Sequence, residues 1–221
     1  MLDLVLVQKL AVWAPPVLLA ITLHEVAHGW AARALGDDTA ARAGRLSLNP
    51  FRHIDPIGTV LVPAVLLLVG GFLFGWAKPV PVDARRLHHP KRDMAVVAAA
   101  GPAVNALMAI GWAFALDFAL HAEPAAWAGW LRYMALAGIS INLVLMVLNL
   151  LPLPPLDGGR VMVGLLPMRL ALPYSRLEPW GLPILLLLMF TGLLSAILYW
   201  PLQISEGLLL GLFGIPTATL F

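Results

Sequence analysis

Long apolar blocks separated by short polar stretches make up most of this chain. A block of about 18 or more apolar residues with few charges is typical of a membrane-spanning helix. The pattern therefore predicts an all-α polytopic membrane protein, built as a bundle of about five to six transmembrane helices. The apolar blocks behind this prediction are residues 17–35, 94–120, 127–150, 183–200 and 202–213.

Two further apolar segments are interrupted. Residues 4–14 end at Pro15-Pro16, and they either continue the first span or form a separate helix at the membrane interface. Residues 57–74 are broken by Pro63 and by Gly70-Gly71, which favour a bend. The cytoplasmic loops are expected to hold short extended segments, with extended or turn structure at 75–93.

The composition excludes a soluble domain. The chain of 221 residues is 61% hydrophobic and 12% charged, whereas soluble domains contain about 25% charged residues. The formal net charge is only +2, and the basic residues lie between apolar blocks, which gives no nucleic-acid-binding pattern. Because there is no cysteine, a metal would need nitrogen and oxygen ligands. The first residues lack the basic region of a signal peptide, so none is predicted.

The basic residues predict an orientation. Of the 14 Lys and Arg, nine fall between Arg33 and Arg92, and the connection at 121–126 has none. The positive-inside rule therefore places the basic loops in the cytoplasm and residues 121–126 outside. If both flanks of 57–74 are cytoplasmic, that segment cannot cross once, and we predict a re-entrant or hairpin element. A plain additional span is the alternative, and it would put one basic loop outside.

One apolar block carries the sequence His24-Glu25-Val26-Ala27-His28, an H-E-x-x-H motif. Ionisable side chains inside a membrane span are rare and usually mark function. On a helix, His24 and His28 share one face about 6 Å apart along the axis, and so can bind one ion. Glu25 is rotated by about 100° from His24, so it suits a general base acting on water better than a third ligand.

A catalytic zinc ion needs at least one more protein ligand and an open position for water. Most other acidic residues lie in the basic loops or near the outer ends of spans. Asp157 follows the block 127–150 at its cytoplasmic end, within a Pro-rich turn that can fold back into the bundle. Its position makes Asp157 the first choice for the third ligand.

These residues resemble the site-2 protease family, the zinc intramembrane metalloproteases of peptidase family M50. The family's marks are an HExxH helix, a G-P-x-x-N element and an N-x-x-P-x-P-x-x-D-G segment. They match residues 24–28, 101–105 and 149–158 in that order. Residues 49–59 and 75–83 also resemble loops of compact bacterial members. The resemblance runs from about residue 17 to about residue 160.

The resemblance implies the roles of six residues. His24, His28 and Asp157 would bind one Zn²⁺, and Glu25 would be the catalytic base. Asn105 and Asn149 would line the cleft. We expect a single membrane-embedded metalloprotease domain over residues 1–221, with a catalytic core at about 17–160, C-terminal helices at about 161–221, and no PDZ or CBS domain.

The expected function is that of an intramembrane zinc metalloendopeptidase. It would hydrolyse peptide bonds in or near transmembrane segments by Glu-assisted attack of a zinc-activated water. We expect a multi-pass protein of the cell membrane whose site opens toward the cytoplasm. The expected partners are a transmembrane protein or peptide substrate and membrane lipids, with no nucleic acid and with oligomerisation left open.

Two other functions use the same residues. A metal transporter could use His24, His28 and Asp157 as a transit site, but transporters usually carry repeats that this sequence lacks. An inactive scaffold could bind membrane helices, but it would have no use for Glu25.

Three of the six predicted site residues, and the Gly101-Pro102 pair, also have a purely structural explanation. Asp157 would form an Asp-Gly turn before the next helix, and Asn105 would hydrogen-bond between helices, as Asn often does in membranes. Asn149 would end its helix, and Gly101-Pro102 would serve packing or a kink.

Overall fold

The computed structural model describes residues 5–62, 65, 75, 77–122 and 125–216. These ranges contain α-helices and short helical turns and no strand. The turns are Pro50–Arg52, Pro56–Leu61 and Ala84–Arg86. The helices are α1 (Leu6–Ala34), α2 (Thr39–Arg42), α3 (Pro90–His121), α4 (Ala126–Asn149), α5 (Asp157–Leu165), α6 (Met168–Ser175), α7 (Glu178–Phe190) and α8 (Leu193–Leu212).

Four of the described helices, α1, α3, α4 and α8, are long and apolar enough to cross a membrane. Large apolar side chains such as Leu107, Phe114 and Leu208 are exposed on their outer surfaces, which suits contact with lipid. The prediction of an all-α polytopic membrane protein is confirmed. The described ranges hold four such helices rather than five to six. One reason is that α7 has 13 residues and a length of about 20 Å, too short for a hydrocarbon core of about 30 Å.

The first helix runs without a break through Pro15-Pro16. The segment 4–14, where the structure describes it, therefore continues the first span and is not a separate helix. Proline is tolerated in membrane helices because neighbouring groups can satisfy the backbone groups that it leaves unpaired.

The predicted boundary between the last two helices is wrong. The apolar pattern placed spans at 183–200 and 202–213, with the break at Pro201. In the structure α8 passes through Pro201, and the break lies at Gly192, whose φ is +76°. Glycine adopts this left-handed conformation easily and commonly ends a helix, whereas proline is no reliable stop in a membrane.

Helix α3 is the centre of the bundle and packs against α1, α4 and α5. Alanines at the contact with α4, such as Ala109, Ala113 and Ala135, are almost fully buried and let the two helices approach closely. Leu202, Leu209 and Leu210 of α8 complete this cluster, since α8 packs against both α3 and α4. The packing places α1, α3 and the start of α5 side by side.

The structure describes little of the predicted element at 57–74 and all of the loop at 77–83. Residues 56–61 form a helical turn, but most of the predicted re-entrant or hairpin element at 57–74, with Pro63 and Gly70-Gly71, lies outside the described residues. It stays a prediction. Residues 77–83, called here the 77–83 loop, have no regular secondary structure.

Candidate metal centre

Helix α1 presents His24 and His28 on one face, one turn apart. Their Nε2 atoms are 3.1 Å from each other, and the two rings meet edge to face with centroids 4.7 Å apart. This arrangement follows from the helical repeat, which stacks positions i and i+4. The pair of imidazole nitrogens therefore faces a common point beside the helix.

The second nitrogen of each imidazole is bonded to helix α3. Nδ1 of His24 lies 2.6 Å from Oδ1 of Asn105, and Nδ1 of His28 lies 2.7 Å from the carbonyl oxygen of Val97. Because both partners are oxygen acceptors, each Nδ1 carries the proton and donates. In a neutral ring the Nε2 atom then presents a lone pair.

Asp157 reaches the histidines from the first turn of α5. Its Oδ2 atom is 3.1 Å from Nε2 of His24 and 3.4 Å from Nε2 of His28. The Pro-rich turn at 150–156 carries the chain back from the end of α4, and the Tyr174 hydroxyl donates to the carbonyl of Pro152 within that turn at 2.6 Å. The turn therefore places a carboxylate opposite the two imidazoles.

The three side chains together form an acceptor set that fits a cation. His24, His28 and Asp157 each offer one ligand atom, and all three atoms lie within 4.8 Å of one another. Oδ2 of Asp157 is buried and, among the residues that the structure describes, has no hydrogen-bond partner. Two imidazole lone pairs and a carboxylate oxygen cannot hydrogen-bond one another, and buried acceptors left unpaired are costly. A divalent metal ion would satisfy all three.

Gly101 gives the histidines room against α3. A Cβ atom at this position would lie 2.5 Å from Nε2 of His28 and 2.6 Å from Nε2 of His24. Even the smallest side chain would therefore overlap the two ligand atoms. The Gly101-Pro102 pair was predicted to serve packing or a kink, and in the structure the absence of a Cβ at Gly101 leaves room for the Nε2 atoms of both histidines.

A cavity of about 690 Å³ opens beside the three ligands. Glu25 lies in its wall, and its Oε2 atom accepts a hydrogen bond from the backbone N–H of Val80 at 2.8 Å. Glu25 is not part of the ligand group. The cavity wall thus contains two histidines and an aspartate that could bind a metal ion, and a separate carboxylate held by the 77–83 loop.

Asn105 and Asn149, both expected to line the cleft, occupy different places. Asn149 lies in the cavity wall, at the last residue of α4, and donates to the carbonyl of Leu145. Asn105 is fully buried behind His24 and does not line the cavity. Its side chain is taken up by hydrogen bonds to His24 and Asn142, so the expectation for Asn105 needs this correction.

Sequence analysis missed the groups that support the ligands. Asn142 could have been noticed, because an amide in the middle of an apolar block is a polar outlier of the same kind as His24. The carbonyl of Val97 and the N–H of Val80 are backbone groups, which no residue type reveals.

Comparison with known proteins identifies the family. The sequence model of peptidase family M50 matches residues 118–192. A protein named "Putative zinc metalloprotease YwhC" from Bacillus subtilis (strain 168) is 40% identical over 202 residues, which cover 89% of this chain and 88% of that protein. The chain belongs to peptidase family M50. This is the site-2 protease family, so the chain is a metalloprotease of the membrane.

Two mycobacterial proteins are also similar to this M50 protein, and the match covers a smaller share of their length. "Putative zinc metalloprotease Rip2" of Mycolicibacterium smegmatis is 29% identical over 191 residues, or 83% of this chain and 70% of that protein. The protein of the same name in Mycobacterium tuberculosis H37Rv is 32% identical over 157 residues, or 70% of this chain and 55% of that protein. No solved structure matches this metalloprotease.

Proposed function

We propose that this M50 metalloprotease is an intramembrane zinc endopeptidase that hydrolyses peptide bonds in or near transmembrane segments of other membrane proteins. The observation that carries the proposal is the convergence of Nε2 of His24, Nε2 of His28 and Oδ2 of Asp157, with Glu25 in the wall of the same cavity.

The ligand spacing supports zinc. Ligands at about 2.0–2.1 Å from a tetrahedral zinc ion lie about 3.3–3.4 Å from one another. The three separations here are 3.1, 3.1 and 3.4 Å, and two imidazoles with one carboxylate form a donor set that zinc accepts. His24, His28 and Asp157 are therefore the proposed ligands of one Zn²⁺.

The depth of the site supports a membrane substrate. His24 lies ten residues before the end of α1 at Ala34, which corresponds to about 15 Å along the helix. A peptide bond must reach this depth to react, so the segment that is cut is expected to enter from the membrane and to unwind locally. Unwinding is needed because the backbone N–H and C=O groups of an intact substrate helix are hydrogen-bonded to one another and shielded.

Glu25 is the proposed general base. Bound zinc would supply Lewis acidity, which lowers the pKa of a coordinated water and polarises the scissile carbonyl. Glu25 would accept the proton of the attacking water and return it to the leaving amine. The hydrogen bond from the N–H of Val80 fixes the direction of the Glu25 carboxylate.

The positions of the basic residues support an opening toward the cytoplasm of a cell-membrane protein. The 77–83 loop and the first turns of α3 form part of the cavity wall. The same region carries Arg85, Arg86, Lys91 and Arg92. By the positive-inside rule this end of the molecule faces the cytoplasm.

The test is cleavage of a single-span reporter by the purified protein in detergent, with zinc content measured in parallel. Glu25→Gln should lower the cleavage rate by about 10²- to 10⁴-fold, the usual contribution of general acid–base catalysis, and should retain zinc. Asp117→Asn, a carboxylate at the far end of α3, is the matched control and should cleave as the wild type does. Wild-type protein that binds zinc and cuts no membrane substrate would contradict the proposal and favour a scaffold or a transporter.

A further inference from the structure

A chain of buried amides runs from α4 through α3 to His24. The Asn142 side chain donates through Nδ2 to the carbonyl of Gly138 at 2.8 Å, and its Oδ1 accepts from Nδ2 of Asn105 at 2.9 Å. Oδ1 of Asn105 then accepts from Nδ1 of His24 at 2.6 Å. Asn142 and Asn105 are both fully buried, so no water competes for these bonds.

The chain of amides has a direction that its end at the Gly138 carbonyl dictates. The carbonyl of Gly138 can only accept, so the end of the Asn142 amide that faces it must be the NH₂ group. The oxygen of Asn142 therefore faces Asn105, and the NH₂ group of Asn105 must face that oxygen. The oxygen of Asn105 is left to face His24, whose Nδ1 must then carry the proton.

His28 does not depend on an oriented side-chain amide. Its Nδ1 donates directly to the carbonyl of Val97, which is an acceptor in any arrangement. An asparagine amide, in contrast, can turn by 180° and present either its oxygen or its NH₂ group. The second contact of the Asn105 NH₂ group, to the carbonyl of Ala20, is 3.4 Å long and too weak to hold the amide alone.

We infer that Asn142 is a positioning residue of the metal centre: it orients the amide of Asn105 so that His24 is protonated at Nδ1 and presents Nε2 to the ion. The expected consequence of this orientation, tight metal binding, rests on the proposed function. Without Asn142 the Asn105 amide can turn its NH₂ group toward His24, and the imidazole then moves its proton to Nε2, where it competes with the metal.

The first measurement is metal affinity, determined by competition between the protein and a chelator for Zn²⁺ or Co²⁺. Asn142→Leu and the smaller Asn142→Ala should each weaken binding by about 10- to 100-fold, which is the usual effect of losing a group that orients a ligand. Ile139→Ala, a buried position of α4 one turn away, is the matched control for lost packing and should leave the affinity within about twofold of the wild type. An equal loss in Ile139→Ala would overturn the inference.

A double-mutant cycle tests whether Asn142 acts through Asn105. In an Asn105→Leu background, Asn142→Leu should produce no further loss of metal affinity, because the amide that it orients is gone. Additive losses would show that Asn142 acts by another route, and the inference would fail.

The tautomer of His24 in metal-free protein tests the same inference independently of the proposed function. In ¹⁵N spectra of ring-labelled histidine, His24 should be protonated at Nδ1 in the wild type and mixed in Asn142→Leu. If the wild type binds no metal, but its His24 tautomer still differs from that in Asn142→Leu, the proposed function is contradicted and the inference stands. A tautomer unaffected by Asn142→Leu would overturn the inference even if the enzyme is active.

Discussion

At the scale of single residues, the space beside the two histidines is set by Gly101. Its Cα faces the two Nε2 atoms so closely that a Cβ would lie within about 2.6 Å of both. We expect Gly101→Ala to lower metal affinity by at least about 10-fold, because the imidazoles must rotate away from Asp157. Chelator competition measures this loss, and circular dichroism should show that the helices persist.

Gly111→Ala provides the matched control for Gly101→Ala. Gly111 lies on the same helix, and a Cβ there would meet nothing within 4 Å. Both substitutions favour the helix equally, since Ala is the better helix former. If the two variants bound metal equally well, the close approach at Gly101 would have no bearing on the site.

The residues that the structure brings together as candidate ligands could be predicted from the sequence, because their chemistry is local or strongly out of place. His24, Glu25 and His28 are charged or polar within one apolar block, and the helical repeat alone determines which of them share a face. Asp157 was found by its place after a span. The contact between Asn142 and Asn105 joins residues 37 apart on two helices, and only the packing of α3 on α4 determines it.

At the scale of elements, the 77–83 loop is held in place by α1 and its neighbours. Val80 donates to Glu25, and the N–H of Asp83 donates to Oδ2 of Asp37 at 2.7 Å. Asp37 is fully buried just beyond the end of α1, and its Oδ1 accepts from the N–H of Thr39 at 3.0 Å. Burial raises the pKa of Asp37, but the hydrogen bonds from Thr39 and from the N–H of Asp83 outweigh it and hold the pKa below its usual range.

The lowered pKa of Asp37 predicts a pH dependence of stability. Because the folded pKa lies below the unfolded value of about 3.9, the ionised carboxylate stabilises the protein above that pH, and this contribution is lost as the pH falls through the folded pKa. At pH 7, Asp37→Asn should lower the free energy of unfolding in detergent by about 1–3 kcal/mol. The difference from wild type should shrink below about pH 4.

The neighbouring carboxylate of Asp38 serves as the control for Asp37. Its side chain is 41% exposed and forms ion pairs with Arg42 and Arg86. Such exposed pairs contribute about 0–1 kcal/mol, so Asp38→Asn should have a small effect at every pH. A loss in Asp37→Asn that stays constant from pH 7 to pH 3 would contradict the role given to the Asp37 carboxylate.

The elements themselves were predicted unequally well. The blocks at 94–120 and 127–150 became α3 and α4 to within a few residues, because each is bounded by polar or turn-forming residues. The boundary between α7 and α8 was misplaced by about nine residues, because the sequence offered both Gly192 and Pro201 as stops. When lipid surrounds a helix on most sides, its sequence is apolar throughout and has no hydrophobic periodicity. The sequence pattern therefore could not distinguish these two stops.

At the scale of the whole molecule, the two ends of α3 report how the protein lies in the membrane. The helix has 32 residues and a length of about 48 Å, so both ends extend beyond a hydrocarbon core of about 30 Å. His89 precedes its first residue and His121 is its last, with side chains 75% and 78% exposed. The cavity lies at the His89 end, since the first turns of α3 form part of its wall.

The absence of cysteine makes this orientation directly measurable. His89→Cys should react with a membrane-impermeant maleimide in inside-out vesicles and not in intact cells, and His121→Cys should show the reverse. The reason is that the positive-inside rule predicts a cytoplasmic location for the basic residues near His89. Labelling after detergent treatment controls for reactivity. Both cysteines on one side would mean that α3 does not cross the bilayer. A reversed pattern would open the cavity to the outside, and substrates would then have to be cut from that face.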